Sequence, residues 1–246
     1  NTVAIHWVYM DLLGVVSLKD TTTIAHRHHL PVIVDAAAAL PPVENLQYFI
    51  GEGADLVVFS GGKAIRGPQA SGILVGRQDL IESVALQHQD MDVVSETWTL
   101  RDKFLESTKL LGPPSQGIGR SLKVGKEEIA GLVAALRTYI NQDHSAWNQE
   151  QHRKLKVLKS GLQQLSGLEV EFFESREETY PKLRVSIREQ AGITVVNMVL
   201  QLLDGDPAIA VGQEGLSKGY LIIDPVSLGV DQLEIVIKKF SAVLLK

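Results

Sequence analysis

Two short runs of this chain are apolar almost from end to end: Pro31-Val32-Ile33-Val34-Asp35 and Asp55-Leu56-Val57-Val58-Phe59. A strand with one wet face alternates apolar and polar residues, whereas a strand apolar throughout needs cover on both faces. A mostly parallel sheet flanked by helices provides that cover. Val3-Ala4-Ile5-His6-Trp7-Val8-Tyr9 precedes the pair and Gly72-Ile73-Leu74-Val75-Gly76 follows it, both with strand character. Helical signals lie between them. Ser17-Leu18-Lys19-Asp20 has the form of a capping box, with Asp in place of Glu or Gln, and predicts a helix to about Leu30. Asn45 to Ile50 predicts a short helix closed by Gly51 and Gly53, and another starts near Asp79. The expected fold class is α/β, with a mostly parallel sheet up to about Gly76.

Periodicity fails from about Gln87 to Gly119, where Gly112-Pro113-Pro114 and Gly117-Ile118-Gly119 mark a loop-rich connection. It returns with Ile129, Leu132, Val133, Leu136 and Ile140 on one helical face, then with Leu155, Leu158, Leu162 and Leu165 on another. Leu168–Phe173, Leu183–Ile187, Ala208–Val211 and Tyr220–Ile223 read as strands, and Thr194–Leu203 and Asp231–Leu244 as helices. This mixture predicts a smaller α+β domain over residues 123–246, after a large domain over 1–122. Asn1 occupies the first position and a strand signal begins almost at once, so the large domain is expected to be incomplete at its front.

Composition removes several classes of function. The chain has 246 residues with 24 basic and 29 acidic side chains, a formal net charge of −5. A mildly acidic chain is a poor partner for nucleic acid. Cysteine is absent, which excludes disulfides, thiolate zinc sites and thiol catalysis. No apolar run approaches the roughly 18 residues of a membrane span, and no leader segment is visible. A cytoplasmic location with no membrane partner is the expectation.

Asp35 ends one buried strand, and Lys63 follows the next in Ser60-Gly61-Gly62-Lys63. Ligands of open α/β sheets bind beyond the carboxyl ends of the strands, so parallel strands bring this acid and this lysine to one crevice. Gly61 and Gly62 allow backbone to approach a ligand closely. A phosphate-binding P-loop needs Gly at position 57 and Ser or Thr at position 64; Val57 and Ala64 stand there. Gly125-Lys126 fails the same test at Arg120 and Glu127. A lysine that bonds an aldehyde, with a carboxylate for a pyridine nitrogen, fits better. Ala36 to Ala39 leave room for a flat ring. Taken singly, Asp35 reads as a turn cap and Lys63 as a solvated lysine; their joint placement favours the chemical reading.

Other polar residues have two readings each. His26, His28 and His29 suit the carboxyl end of a helix, and no metal site is expected. Arg120, Lys123 and Lys126 read equally as an anion site for a substrate phosphate or carboxylate and as a solvated basic face. Arg184 alternates with core residues and meets either a substrate carboxylate or water. Trp98 and Trp147 read as packing residues.

The segments Val32-Ile33-Val34-Asp35-Ala36-Ala37, Asp55 to Lys63 and Gly67-Pro68-Gln69-Ala70-Ser71-Gly72 resemble fold-type I pyridoxal-phosphate enzymes. The resemblance is to the branch related to selenocysteine synthase, and within it to ammonia-lyases of the D-glucosaminate-6-phosphate type. Gly117-Ile118-Gly119-Arg120-Ser121-Leu122-Lys123-Val124-Gly125-Lys126-Glu127-Glu128 is a second block of that branch. The resemblance implies pyridoxal 5'-phosphate as cofactor, with Lys63 as its Schiff-base lysine and Asp35 on the pyridine nitrogen. It implies that Ala37 packs on the ring and that Ser60 lies near the cofactor phosphate or the lysine. It also implies a phosphate loop and a ring-stacking side chain before Val3, which nothing here matches, and a homodimer or larger assembly. The implied reaction is α,β-elimination with deamination of an amino acid or amino sugar acid, giving a keto acid. Alternatives are a transferase on aminoacyl-tRNA, a racemase, an aminotransferase, or a non-catalytic partner-binding remnant.

Overall fold

The computed structural model describes residues 1–10, 16–99, 112–173 and 180–245. The chain divides into two compact units, Asn1–Gln142 and Asp143–Lys246.

The first unit holds a four-stranded sheet in the order β1 (Ile5–Val8), β2 (Val32–Asp35), β3 (Leu56–Ser60), β4 (Gly72–Gly76). β1, β2 and β3 run parallel, as the sequence led us to expect. β4 pairs antiparallel with β3, with Ser60 opposite Gly72 and Leu56 opposite Gly76. The link between them, residues 61 to 71, contains no helix. A parallel crossover takes a dozen or more residues, usually with a helix, so this short link returns as a hairpin. Val32, Val34, Phe49, Val57 and Phe59 form the centre of the core, and Phe49 meets Tyr9, Tyr48 and Phe59 in ring contacts.

Helix α1 (Leu18–Arg27) begins as its sequence predicts: the Ser17 hydroxyl oxygen accepts from the Asp20 backbone N–H. It stops short of Leu30. The Leu30 N–H donates to Ala25 O and the His29 N–H to His26 O, with His29 left-handed at φ 55°. Those two bonds close a helix C-terminus and take up its last carbonyls. Among the described residues the unit also has helices α2 (Asn45–Gly51), α3 (Gln78–Gln87) and α4 (Lys126–Ile140), with single 3₁₀ turns at Ser95–Thr97 and Arg120–Leu122.

At the amino end of β3, the buried Asp55 carboxylate accepts from Val32 N–H at 2.8 Å, Arg77 Nη1 at 3.0 Å and His26 Nε2 at 2.9 Å. Burial pushes this carboxyl up, but the three hydrogen bonds together outweigh it and hold the group below its ordinary range. His26 is thereby a structural partner of Asp55. Among the described residues no group of three or more His, Asp or Glu side chains could hold a metal ion.

Helix α4 falls in the first unit, beyond the boundary after residue 122 expected from sequence. The reason is local packing: Leu132 and Ala135 lie against Gly61 and Gly67, and Gly131 lies against Pro68. Of its apolar stripe, Ile129, Val133 and Ile140 stay exposed.

The second unit is α+β. Strands β5 (Leu168–Phe173), β6 (Lys182–Ile187) and β7 (Tyr220–Ile223) form an antiparallel sheet in that order. Helices α5 (His144–Leu162), α6 (Val195–Leu203) and α7 (Leu233–Leu244) supply the rest of its core, including Leu155, Leu158, Met198 and Phe240. The expected strand over Ala208–Val211 does not form; an isolated bridge joins Gly212 to Ile222. Gly205, Pro207 and Gly212 bracket that run, and both residue types weaken a strand.

Candidate active site

The parallel pairing of β2 and β3 sets Asp35 opposite Val58, so Asp35 and the Ser60-to-Lys63 turn occupy the same end of the sheet. Asp35 Oδ1 accepts from the Ala37 N–H at 3.0 Å and closes a small turn. Ala36 N–H donates to Val58 O, which ties that turn to β3. Ala36 and Ala39 are buried, while Asp35, Ala37 and Ser60 are half-buried and Lys63 is exposed.

The turn after β3 is held by its own chain. Gly61 N–H donates to Ser71 O, Gly67 N–H to Gly61 O and Arg66 N–H to Lys63 O, at 2.9, 2.8 and 2.9 Å. A Cβ on Gly61 would lie 2.2 Å from Ser71 Oγ and 2.9 Å from Ser71 O. A Cβ on Gly62 would lie 2.3 Å from Gln69 Oε1 and 2.7 Å from Gln69 Cα. The two glycines therefore admit the chain's own returning segment, where the sequence suggested room for a ligand. Arg66 sits in this turn at φ 60°, in the left-handed region. For a bulky side chain that conformation costs about 1 to 3 kcal/mol. Sequence reasoning passed over Arg66; its position before Gly67-Pro68 was the available signal, but the backbone angle is not readable from composition.

The remaining cations are dispersed. Arg120 Nε lies 3.4 Å from Asp90 Oδ2, so a substrate anion would have to compete with that carboxylate. Lys123 lines a cavity of about 460 Å³ with Ser71, Gly72, His88, Gln89 and Leu132, on the β4 side of the Lys63 turn. Lys126 opens α4 beside Glu127 and Glu128 and is exposed. Arg184 belongs to the second unit, where Glu171 holds it at 2.6 Å and the Tyr220 ring lies 5.5 Å away. Trp98 is buried and Trp147 meets Tyr180 edge-on, both as packing residues.

An acid and a lysine at one sheet end, with small buried residues after the acid, suit a pyridine cofactor carrying an aldehyde. Residues 2–219 match the aminotransferase class-V family. The chain belongs to that family. Its fold is that of the fold-type I pyridoxal-phosphate enzymes, and the cofactor of the family is pyridoxal phosphate. Three curated relatives carry the comparison further. D-glucosaminate-6-phosphate ammonia lyase of Salmonella typhimurium is 28% identical over 233 residues, covering 94% of this chain and 53% of that one. The 5'-C-glycyluridine monooxygenase-decarboxylase of a Streptomyces species is 28% identical over 232 residues, covering 94% and 50%. An L-seryl-tRNA(Sec) selenium transferase of Desulfovibrio desulfuricans is 29% identical over 137 residues, covering 52% and 22%. The solved structure of a D-glucosaminate-6-phosphate ammonia-lyase superposes with a TM-score of 0.73 at 25% identity, covering 98% of this chain and 57% of that one. The chain spans about half the length of the first two curated relatives.

Proposed function

We propose that this chain carries the reacting lysine of a pyridoxal-phosphate-dependent lyase, one that removes ammonia from an amino acid or amino sugar acid with a leaving group at Cβ. The observation that carries the reading is the parallel register of β2 and β3, which sets Asp35 and Lys63 at one sheet end. Likeness over nearly the whole chain to an enzyme named as an ammonia lyase supports the reaction type. When bound, the cofactor supplies an electron sink for the pair left on Cα as its proton departs.

The residues act around that sink. Lys63 would hold the cofactor through its Nζ, and with that Nζ free it would take the Cα proton of the bound substrate. Asp35, fixed by the Ala37 N–H, keeps the pyridine nitrogen protonated. Ala37 packs on the ring, and the Ser60 hydroxyl meets the cofactor phosphate or Lys63. Lys123 and Lys126, with Arg120 once released from Asp90, attract the anionic substrate. Loss of the Cα proton and a Cβ hydroxyl removes one water. Adding water to the resulting imine releases ammonia and leaves a 2-keto acid. A homodimer or larger assembly and a cytoplasmic location belong to the same reading. Among the described residues no helix is long and apolar enough to cross a membrane.

Borohydride reduction of the cofactor-loaded protein tests it. The cofactor should be trapped on Lys63, and Lys63→Ala should lose both the adduct and turnover while keeping its fold. Asp35→Asn should keep the adduct and lose most of the rate, because an amide cannot hold the ring nitrogen protonated. An adduct on Lys123 or Lys126, with Lys63→Ala still active, would overturn the assignment. A monomer by light scattering would refute the assembly.

A further inference from the structure

We propose that Arg66 is the residue by which this site selects substrates carrying a second anion, a phosphate or carboxylate remote from the reacting amine. The proposal rests on the reading of Lys63 given above. Three observations lead to it. Arg66 is exposed and forms no side-chain hydrogen bond or ion pair among the described residues. Arg77, Arg120, Arg153, Arg184 and Arg188 each meet a carboxylate, while Arg27 and Arg137, on helices α1 and α4, share the free guanidinium of Arg66 but not its place beside Lys63. Its backbone stands at φ 60°, a conformation that glycine or asparagine adopts at little cost and a long side chain does not. And Arg66 N–H donates to Lys63 O at 2.9 Å, so the two cationic residues close one turn.

Of the other left-handed non-glycine residues among those described, His29 closes the carboxyl end of α1. Nothing in the fold of the Lys63 turn uses the guanidinium of Arg66. A strained residue whose side chain has no structural duty is a candidate for a functional one. The duty follows from the chemistry. A guanidinium presents paired donors that match a phosphate or carboxylate, and it remains charged at any working pH. The first and fourth residues of a hydrogen-bonded turn lie within about 7 Å at their Cα atoms. Lys63 and Arg66 can therefore engage two groups of one small molecule, the amine-bearing carbon and an anion several bonds away. The turn is rigid, because Gly61 and Gly62 are packed against Ser71 and Gln69, so the spacing is set before binding. Lys123 and Lys126 are exposed as well, but no hydrogen-bonded turn fixes either to Lys63.

The test compares wild type, Arg66→Gly and Arg66→Lys in the cofactor-loaded protein. Inorganic phosphate binding is read by thermal shift, cofactor affinity by absorbance titration, and KM with D-glucosaminate-6-phosphate and D-glucosaminate. Arg66→Gly should weaken phosphate binding by about tenfold, the effect of losing one charge-assisted contact. It should shrink the KM advantage of the phosphorylated substrate by a similar factor, and Arg66→Lys should restore part of both. The melting temperature of Arg66→Gly should stay level or rise, because the strain is relieved, and cofactor affinity should hold. Unchanged phosphate binding overturns the proposal. So does a fall in cofactor affinity that parallels it, since the cation then serves the cofactor's own phosphate. A lower melting temperature with equal loss on both substrates would mean a structural role and would also refute it. Absence of a borohydride adduct on Lys63 refutes the reading of the lysine instead, and the phosphate titration still decides about Arg66.

Discussion

A buried carboxylate with three donors, Asp55 is the residue on which the amino end of β3 depends. Removing it leaves the Val32 N–H without its acceptor and frees His26 and Arg77. An orphaned buried donor alone costs about 1 to 3 kcal/mol. The folded-state pKa of Asp55 lies below its ordinary value of 3.8. In the window between the two values the unfolded chain binds more protons than the folded one, so stability rises with pH there. The contribution is complete above about pH 4 and is lost as pH falls through the folded-state pKa. Urea midpoints at pH 7 and pH 3 should therefore differ more for wild type than for Asp55→Asn, whose amide has no proton to gain. Equal differences would show that Asp55 does not carry the acid sensitivity. Asp55 was visible in the sequence only as the first residue of a strand run, because its partners lie 22, 23 and 29 positions away. Asp35 and Lys63 were legible because their placement needs only strand order and direction.

Elements show the same division between what periodicity carries and what it does not. Strands β2 and β3 were legible as continuous apolar runs, although the cover expected on both faces is incomplete, with Val58 exposed and Ile33 half-buried. The direction of β4 was not in its own composition; it lay in the length of the link that precedes it. Nor did the sequence reveal that this link folds back on itself, so that Gly61 and Gly62 serve the loop. That packing can be tested by Gly61→Ala. The added methyl would meet Ser71 Oγ at 2.2 Å, which can rotate away, but also Ser71 O at 2.9 Å, which is backbone. The turn must shift, and Lys63 shifts with it. Displacement of a reacting group by about 1 Å can cost on the order of 100-fold in rate. Borohydride trapping at Lys63 should slow by at least about tenfold in Gly61→Ala, while the far-UV spectrum stays that of wild type. An undiminished trapping rate would show that the turn has slack.

At the scale of the whole chain, the described residues form a hydrophobic core in each of the two units. One is gathered around Val34, Phe49 and Phe59 and the other around Leu158, Leu183 and Phe240. The second unit runs from Asp143 to Lys246. At roughly a hundred residues it is within the range of domains that bury enough surface to fold alone. Its start is marked by a local signal of its own, since the Asp143 side chain accepts from the Ala146 N–H and caps α5. We therefore expect residues 143–246 to fold without the first unit. The chain has three tryptophans, and Trp147 alone lies in this segment, against the Tyr180 ring at 5.3 Å. Its fluorescence thus reports packing, while far-UV circular dichroism reports the helices. The two should give one coincident urea transition in the isolated segment. Leu158, which is 0% exposed at the centre of the α5 stripe, supplies the control. Leu158→Ala should lower the unfolding free energy by about 2 to 5 kcal/mol and move both signals together. Separate transitions, or none, would mean that the second core does not stand by itself.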